Sequence, residues 1–172
     1  MTVEPYFAFQ IPRKKLIQGL FIATGTLIAA HILVHVVHYK VYELSWLFRH
    51  YFDVNHENSL PTWFSTMLHF TASMLLFTVA INKRSAQDDW TLYWFGLAFG
   101  FLILSMDEVA GVHEKINTAT SFSWVIPGGV VAAMVGLAYI RFLLRLPFRT
   151  RWLFVISGAI FLLGALGVEY LS

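Results

Sequence analysis

Residues 16–38 read LIQGLFIATGTLIAAHILVHVVH, an apolar run bounded by Arg13-Lys14-Lys15 before it and by Tyr39-Lys40 after it. The run holds no Asp, Glu, Lys or Arg, and it is long enough for the roughly 20 residues with which a helix crosses the hydrocarbon layer of a bilayer. It also exceeds the roughly 7–15 apolar residues of a signal-peptide core, so it is expected to remain as a transmembrane helix. Three histidines, His31, His35 and His38, interrupt it towards its second end.

The rest of the chain repeats the pattern. Thr62–Ile81, Trp90–Ala110, Ser123–Tyr139 and Trp152–Tyr170 are further apolar stretches of near-spanning length. The chain of 172 residues is 58% hydrophobic and 13% charged, with 16 Phe, 7 Tyr and 6 Trp, a balance that a lipid solvent permits and water does not. The expected fold class is all-α, a polytopic membrane helix bundle of about five transmembrane helices forming one domain over residues 1–172. The fourth stretch is the weakest, because Pro127, Gly128 and Gly129 stand near its start; four spans and a re-entrant segment are the alternative. No internal repeat or low-complexity tract divides the chain. With no cysteine, disulfides, thiolate metal sites and cysteine nucleophiles are excluded.

Charge placement orients the helices. Arg13, Lys14 and Lys15 precede the first span, Lys83 and Arg84 follow the second, and Arg141, Arg145, Arg149 and Arg151 lie between the fourth and fifth. These are nine of the 12 basic residues and all fall on one side. The positive-inside rule makes that side cytoplasmic, with the N-terminus inside and the C-terminus outside. Trp90, Trp94 and Trp152 then mark the inner interface, and Trp63 and Trp124 the outer one, as aromatic belts do. The expected location is a bacterial inner (plasma) membrane, with any outer site facing the periplasm or exterior. No basic arm with interleaved aromatics is present, so lipids and other membrane subunits, not nucleic acid, are the expected partners.

The long connection Tyr39–Pro61 is not polar enough for a simple loop. Leu44, Leu47, Phe48 and Tyr51 recur at helical spacing opposite Glu43, Arg49, His50 and Asp53, the pattern of an interfacial helix between spans one and two. It reads as an anchor on the membrane surface, or as a lid over what the helices hold.

Ionisable residues gather towards the outer end. At a rise of about 1.5 Å per residue, His31 lies roughly 22 Å up the first span and His69 on the second at about the same height, while Asp107, Glu108 and Glu169 reach roughly 26 Å. His113 and Glu114 follow the third span, and His56 and Glu57 precede the second. Buried ionisable groups cost several kcal/mol unless they are paired, hydrated or metal-bound, so a one-sided cluster points to a site. His31, His35 and His38 share one helical face within about 40°. Imidazoles stacked in this way can ligate zinc, iron or copper, or can serve as interhelical donors; His38, at the membrane edge, fits the latter role. Ser105–Glu114 reads SMDEVAGVHE. In it Asp107 and Glu114 lie on one face of a continuous helix, which His113 joins only if the helix breaks near Gly111. Ser65 stands one turn before His69, with Glu57 approaching from the loop above.

Two resemblances follow from these residues. Ser65-Thr66-Met67-Leu68-His69 and His31-Ile32-Leu33-Val34-His35 resemble the Ser-x3-His and His-x3-His motifs of the ceramidase and progestin-receptor superfamily of membrane hydrolases. That resemblance implies a catalytic zinc, although the two motifs stand here in reversed order and on five expected spans instead of seven. The Ser-x-Asp-Glu-x4-His-Glu segment at Ser105–Glu114, with Leu60-Pro61-Thr62-Trp63 opening another span, is similar to segments of uncharacterised bacterial multi-pass membrane proteins; no activity comes with that likeness.

The expectation is a metal-dependent enzyme, using zinc or a di-iron centre, that acts on a lipid or lipid-soluble substrate from the outer leaflet. Its metal ligands are drawn from His31, His35, His69, Asp107, His113 and Glu114, with Glu108, Glu57 and Ser65 as the candidate catalytic groups. Two alternatives stand beside it. One is a non-catalytic subunit of a larger respiratory or photosynthetic complex, with histidines such as His31 and His69 ligating haem or pigment. The other is a proton or ion transporter, disfavoured by an inner half nearly devoid of polar groups.

Overall fold

The computed structural model of the chain describes residues 12–112, 115 and 123–168. Among these residues the secondary structure is helical throughout: α1 (Arg13–Lys40), α2 (Trp46–Phe52), α3 (Leu60–Ser85), α4 (Thr91–Ala110), α5 (Val125–Arg145) and α6 (Phe148–Leu162), the last widening into a π-helical stretch over Leu163–Val168. Five helices are long and apolar enough to cross a membrane: α1, α3, α4, α5 and the stretch Phe148–Ala165. The four-span alternative therefore gives way to five. Pro127 is the third residue of α5, in the first turn, where a helix has no internal partner for its N–H groups.

Helix ends follow local chemistry. Ser59 opens α3 as an N-cap: its Oγ accepts the Thr62 N–H at 3.3 Å, and its carbonyl accepts the Trp63 N–H at 3.0 Å, while Pro61 occupies a first-turn position needing no donor. α4 stops because Gly111 turns left-handed at φ 55°, ψ 42° and returns its N–H to the Asp107 carbonyl at 2.8 Å, a conformation that favours glycine. The helix that carries Asp107 thus ends at Gly111, and Glu114 lies outside the described residues. Between α5 and α6, Leu146 is extended at ψ 149° ahead of Pro147, as a residue preceding proline prefers. Arg151 closes that turn, its Nε donating to the Leu143 carbonyl at 3.0 Å and its Nη2 to the carbonyls of Leu144 and Leu146.

The chain forms two compact units, Met1–Phe64 and Ser65–Ser172, with the boundary inside α3. In the second, Thr66, Ser73 and Ala80 are the buried residues of α3, spaced seven apart, and Trp94, Ala98 and Ser105 are those of α4. Small residues at a seven-residue repeat let two backbones approach closely. Ser73 Oγ donates to the Ala98 carbonyl at 2.7 Å, and Ser105 Oγ donates back to the Thr66 carbonyl at 3.1 Å. Near the α3–α4 turn an aromatic core gathers on Phe142 of α5, with Tyr93 stacked on it at 5.4 Å and Trp94 edge-on at 5.1 Å.

In the first unit, α1 has no buried residue. Its apolar side chains are mostly exposed, as a lipid solvent allows. Ala30, His31, Val34, His35, Val37 and His38 make a half-buried stripe at its second end, and α2 packs on α1.

Candidate metal centre

α2 has the amphipathic pattern read from the sequence, with its faces turned in an informative way. Trp46, Leu47, Phe48 and Tyr51 are exposed, whereas Arg49, His50 and Asp53 are half-buried. The polar face is the sheltered one, and through it Asp53, the residue that ends α2, reaches the histidines of α1.

His31, His35 and Asp53 each place one ligand atom so that all three lie within 4.8 Å of one another. His31 Nδ1 and Asp53 Oδ1 are 3.7 Å apart, with side chains 23% and 27% exposed, and the His31 and His35 rings lie 4.2 Å apart between centroids. Ligand atoms about 2.0–2.1 Å from a tetrahedral zinc stand roughly 3.3 Å from one another, so the three atoms lie within about 1.5 Å of the spacing an ion requires. His35 is ready for the role. In the tautomer with hydrogen on Nδ1, that nitrogen donates to the His31 carbonyl at 3.1 Å, which leaves Nε2 with a free lone pair and fixes the ring, as the outer partners of metal-bound histidines do. His31 is held more loosely: the Val54 N–H reaches its Nδ1 at 3.3 Å, a long bond that an ion at the same lone pair would displace. His38 lies outside the set, its Nδ1 accepting the Leu44 N–H at 3.1 Å, so it fastens the chain between α1 and α2.

The loop around the site is also ordered. Asp53 Oδ1 accepts the Asn55 N–H at 2.9 Å, the Thr62 hydroxyl donates to the His56 carbonyl at 2.9 Å, and the rings of His50 and His56 stand 3.8 Å apart. Glu57 follows in this loop, half-buried, with Oε1 shielded from solvent and without a hydrogen-bond partner.

The other residues expected at a site belong to the second unit. His69 lies on α3 between the rings of Phe101 and Phe161, at 6.1 and 5.7 Å, with Nδ1 buried and unpartnered. Ser65, Asp107 and Glu108 are half-buried. His113, Glu114 and Glu169 fall outside the described residues.

The structure thus brings together two of the expected ligands, His31 and His35, and adds Asp53, which the sequence placed only on the polar face of a surface helix. The missed signal was the i, i+4 pair Arg49 and Asp53 beside His50: polar residues on a short helix face inward when another polar group is there to receive them. No curated protein and no solved structure matches the chain. With residues 19–172 matching, a stretch that contains His31, His35 and Asp53, the chain belongs to the family described as Domain of unknown function (DUF8692).

Proposed function

We propose that the chain is a multi-pass membrane protein that binds one divalent transition-metal ion, zinc or iron, through His31, His35 and Asp53, and that this centre serves an enzyme acting on a lipid or lipid-soluble substrate. The observation that carries the reading is the convergence of two imidazoles from α1 and one carboxylate from the end of α2 within 4.8 Å. Three protein ligands leave a coordination position open, the arrangement of catalytic sites as opposed to closed structural ones. Zinc held by two imidazoles and a carboxylate suits hydrolysis, and iron(II) held by the same set suits oxidation. A single carboxylate in the cluster favours one ion over the di-iron pair, which calls for several.

Placement supports the lipid-facing part of the reading. His31 is about 27 Å along α1 from Arg13 at the helical rise, so if the basic end is cytoplasmic the cluster opens towards the outer leaflet. The exposed Trp46, Leu47, Phe48 and Tyr51 beside it present α2 to lipid as an interfacial helix does.

Metal analysis of protein purified from membranes without chelator or nickel resin tests the proposal, with about one equivalent of zinc or iron expected. A second reading rests on the Val54 N–H and Asp53 contacts of His31: without metal, His31 is a clasp between α1 and α2. Metal-free protein that loses thermal stability on His31→Ala would establish the clasp and refute the metal centre.

A further inference from the structure

Three buried polar atoms without partners fall within nine residues of one another: Arg49 Nε, His50 Nδ1 and Glu57 Oε1. Each such atom forgoes the hydrogen bonds it had in water, a cost that native structures rarely leave uncompensated except by an ion, a water molecule or a ligand. The His50–His56 ring pair at 3.8 Å draws the ends of this stretch together, because Arg49 adjoins one ring in sequence and Glu57 the other. Neither Arg49 nor Glu57 makes an ion pair among the described residues. The Nε of an always-charged guanidinium near the end of α2 and one oxygen of a carboxylate in the loop after it are thus each shielded from water, and the two groups do not pair. A group that satisfies both carries the opposite charges, an anion for Arg49 and His50 and a cation for Glu57.

We infer that the loop from α2 to α3, closed by the His50–His56 pair, binds a phosphate–ammonium head group of the phosphoethanolamine type, supplied by a membrane phospholipid, with the phosphate on Arg49 and His50 and the ammonium on Glu57. Arginine suits phosphate through its planar array of donors, and a primary ammonium offers the N–H donors that the Glu57 oxygen lacks. The lipid source follows from the exposed Leu47, Phe48 and Tyr51 on the other face of α2, which stand in acyl chains while the polar face receives the head. The inference rests on the metal reading only for the head group's role as substrate; binding itself does not require the ion.

The test uses the full chain in non-ionic detergent, stripped of lipid and titrated in native mass spectrometry with short-chain phosphatidylethanolamine, phosphatidylglycerol and phosphatidylcholine, and with free O-phosphoethanolamine. Phosphatidylethanolamine is expected to bind at least tenfold more tightly than the other two lipids, because glycerol carries no charge and choline no N–H. Glu57→Gln removes that preference while phosphatidylglycerol binding persists, and Arg49→Gln weakens every phospholipid about tenfold. Equal affinity for all three lipids, or a preference that survives Glu57→Gln, overturns the inference. Free O-phosphoethanolamine binding as tightly as the lipid overturns the lipid source. If either variant fails to fold, the ranking of the three lipids on the unaltered chain decides. Metal content measured on the same samples separates the two readings: metal-free protein that keeps the ranking refutes only the metal centre, and metal-loaded protein without the ranking refutes only this inference.

Discussion

Replacing His35 by Ala is the sharpest perturbation of the proposed centre, because His35 is its best-prepared ligand. Its Nδ1 is engaged by the His31 carbonyl at 3.1 Å, so the substitution removes an Nε2 lone pair and leaves the helix backbone intact. Structural zinc sites of four ligands bind with about 10–16 kcal/mol, or about 2.5–4 kcal/mol per ligand if shared evenly. At about 1.4 kcal/mol per decade, losing one ligand weakens binding by roughly two to three orders of magnitude. Competition with a chromophoric chelator on the purified protein reads this directly, and Asp53→Asn is expected to fall in the same range. His38→Ala is the internal control. It lies on the same stripe of α1 but serves the Leu44 N–H, and so should keep affinity within a few-fold while lowering stability by about 1 kcal/mol, the worth of one hydrogen bond. Equal metal affinity in His35→Ala and the unaltered chain, with both folded, would refute the assignment of His35. Equal loss in His35→Ala and His38→Ala would show that the stripe matters for packing and not for ligation.

Three further outcomes rest on the second unit. Arg151→Leu leaves the carbonyls of Leu143, Leu144 and Leu146 without their common donor, and in this half-exposed setting should cost about 1–2 kcal/mol in thermal unfolding in detergent. A side chain at Gly96 would overlap the Tyr139 hydroxyl, which donates to the Tyr93 carbonyl at 3.0 Å, whereas Gly100 has open space around it. Gly96→Ala should therefore be less stable than Gly100→Ala by about 1 kcal/mol, the hydrogen bond lost, since both gain the same helix propensity. In the α3–α4 turn, Lys83 donates to Asp88 at 2.8 Å and the Trp90 N–H donates to it at 2.8 Å. These bonds hold the Asp88 carboxyl below the usual carboxylate range. A carboxyl whose folded value is depressed stabilises the protein above the ordinary range and ceases to do so as pH falls through its folded value. Unfolding followed against pH should accordingly show a loss at the acid end that Asp88→Asn lacks.

The spans were legible because hydropathy over some 20 residues is a strong signal. Their ends were not. α1 runs from Arg13 to Lys40, beyond the apolar run at Leu16–His38, because a helix does not stop where its residues become polar; Pro12 and the departure of Val41 from helical angles set its limits. The doubt over the fourth span came from treating Pro127 as a breaker without its register, and one turn further along it would have been one. Gly111 was noted as a place where the helix could break, and its left-handed φ of 55° makes the break real. Whether α4 would run on past Gly111 is a matter that no count of residues alone could have decided.

The site was half legible, and the half that was missed explains why. His31 and His35 fall on one face by helical periodicity alone, and a short-range rule of that kind survives folding. Grouping His69, Asp107 and Glu108 with them rests on height along separate helices, a longer-range argument that fixes depth but not azimuth. Asp53 failed in the opposite sense. Its position in the chain, 22 residues beyond His31, carries no periodic signal, and its place on a surface helix pointed towards water. What brings it in is the order of preference of α2 for its two surroundings. Packed on α1, α2 leaves Leu47, Phe48 and Tyr51 exposed, and Arg49, His50 and Asp53 are on its sheltered side with the histidines. A short amphipathic helix can therefore turn its polar residues towards whatever polar group its neighbour offers, and a histidine stripe on the preceding helix is the feature that makes such a helix one wall of a candidate site.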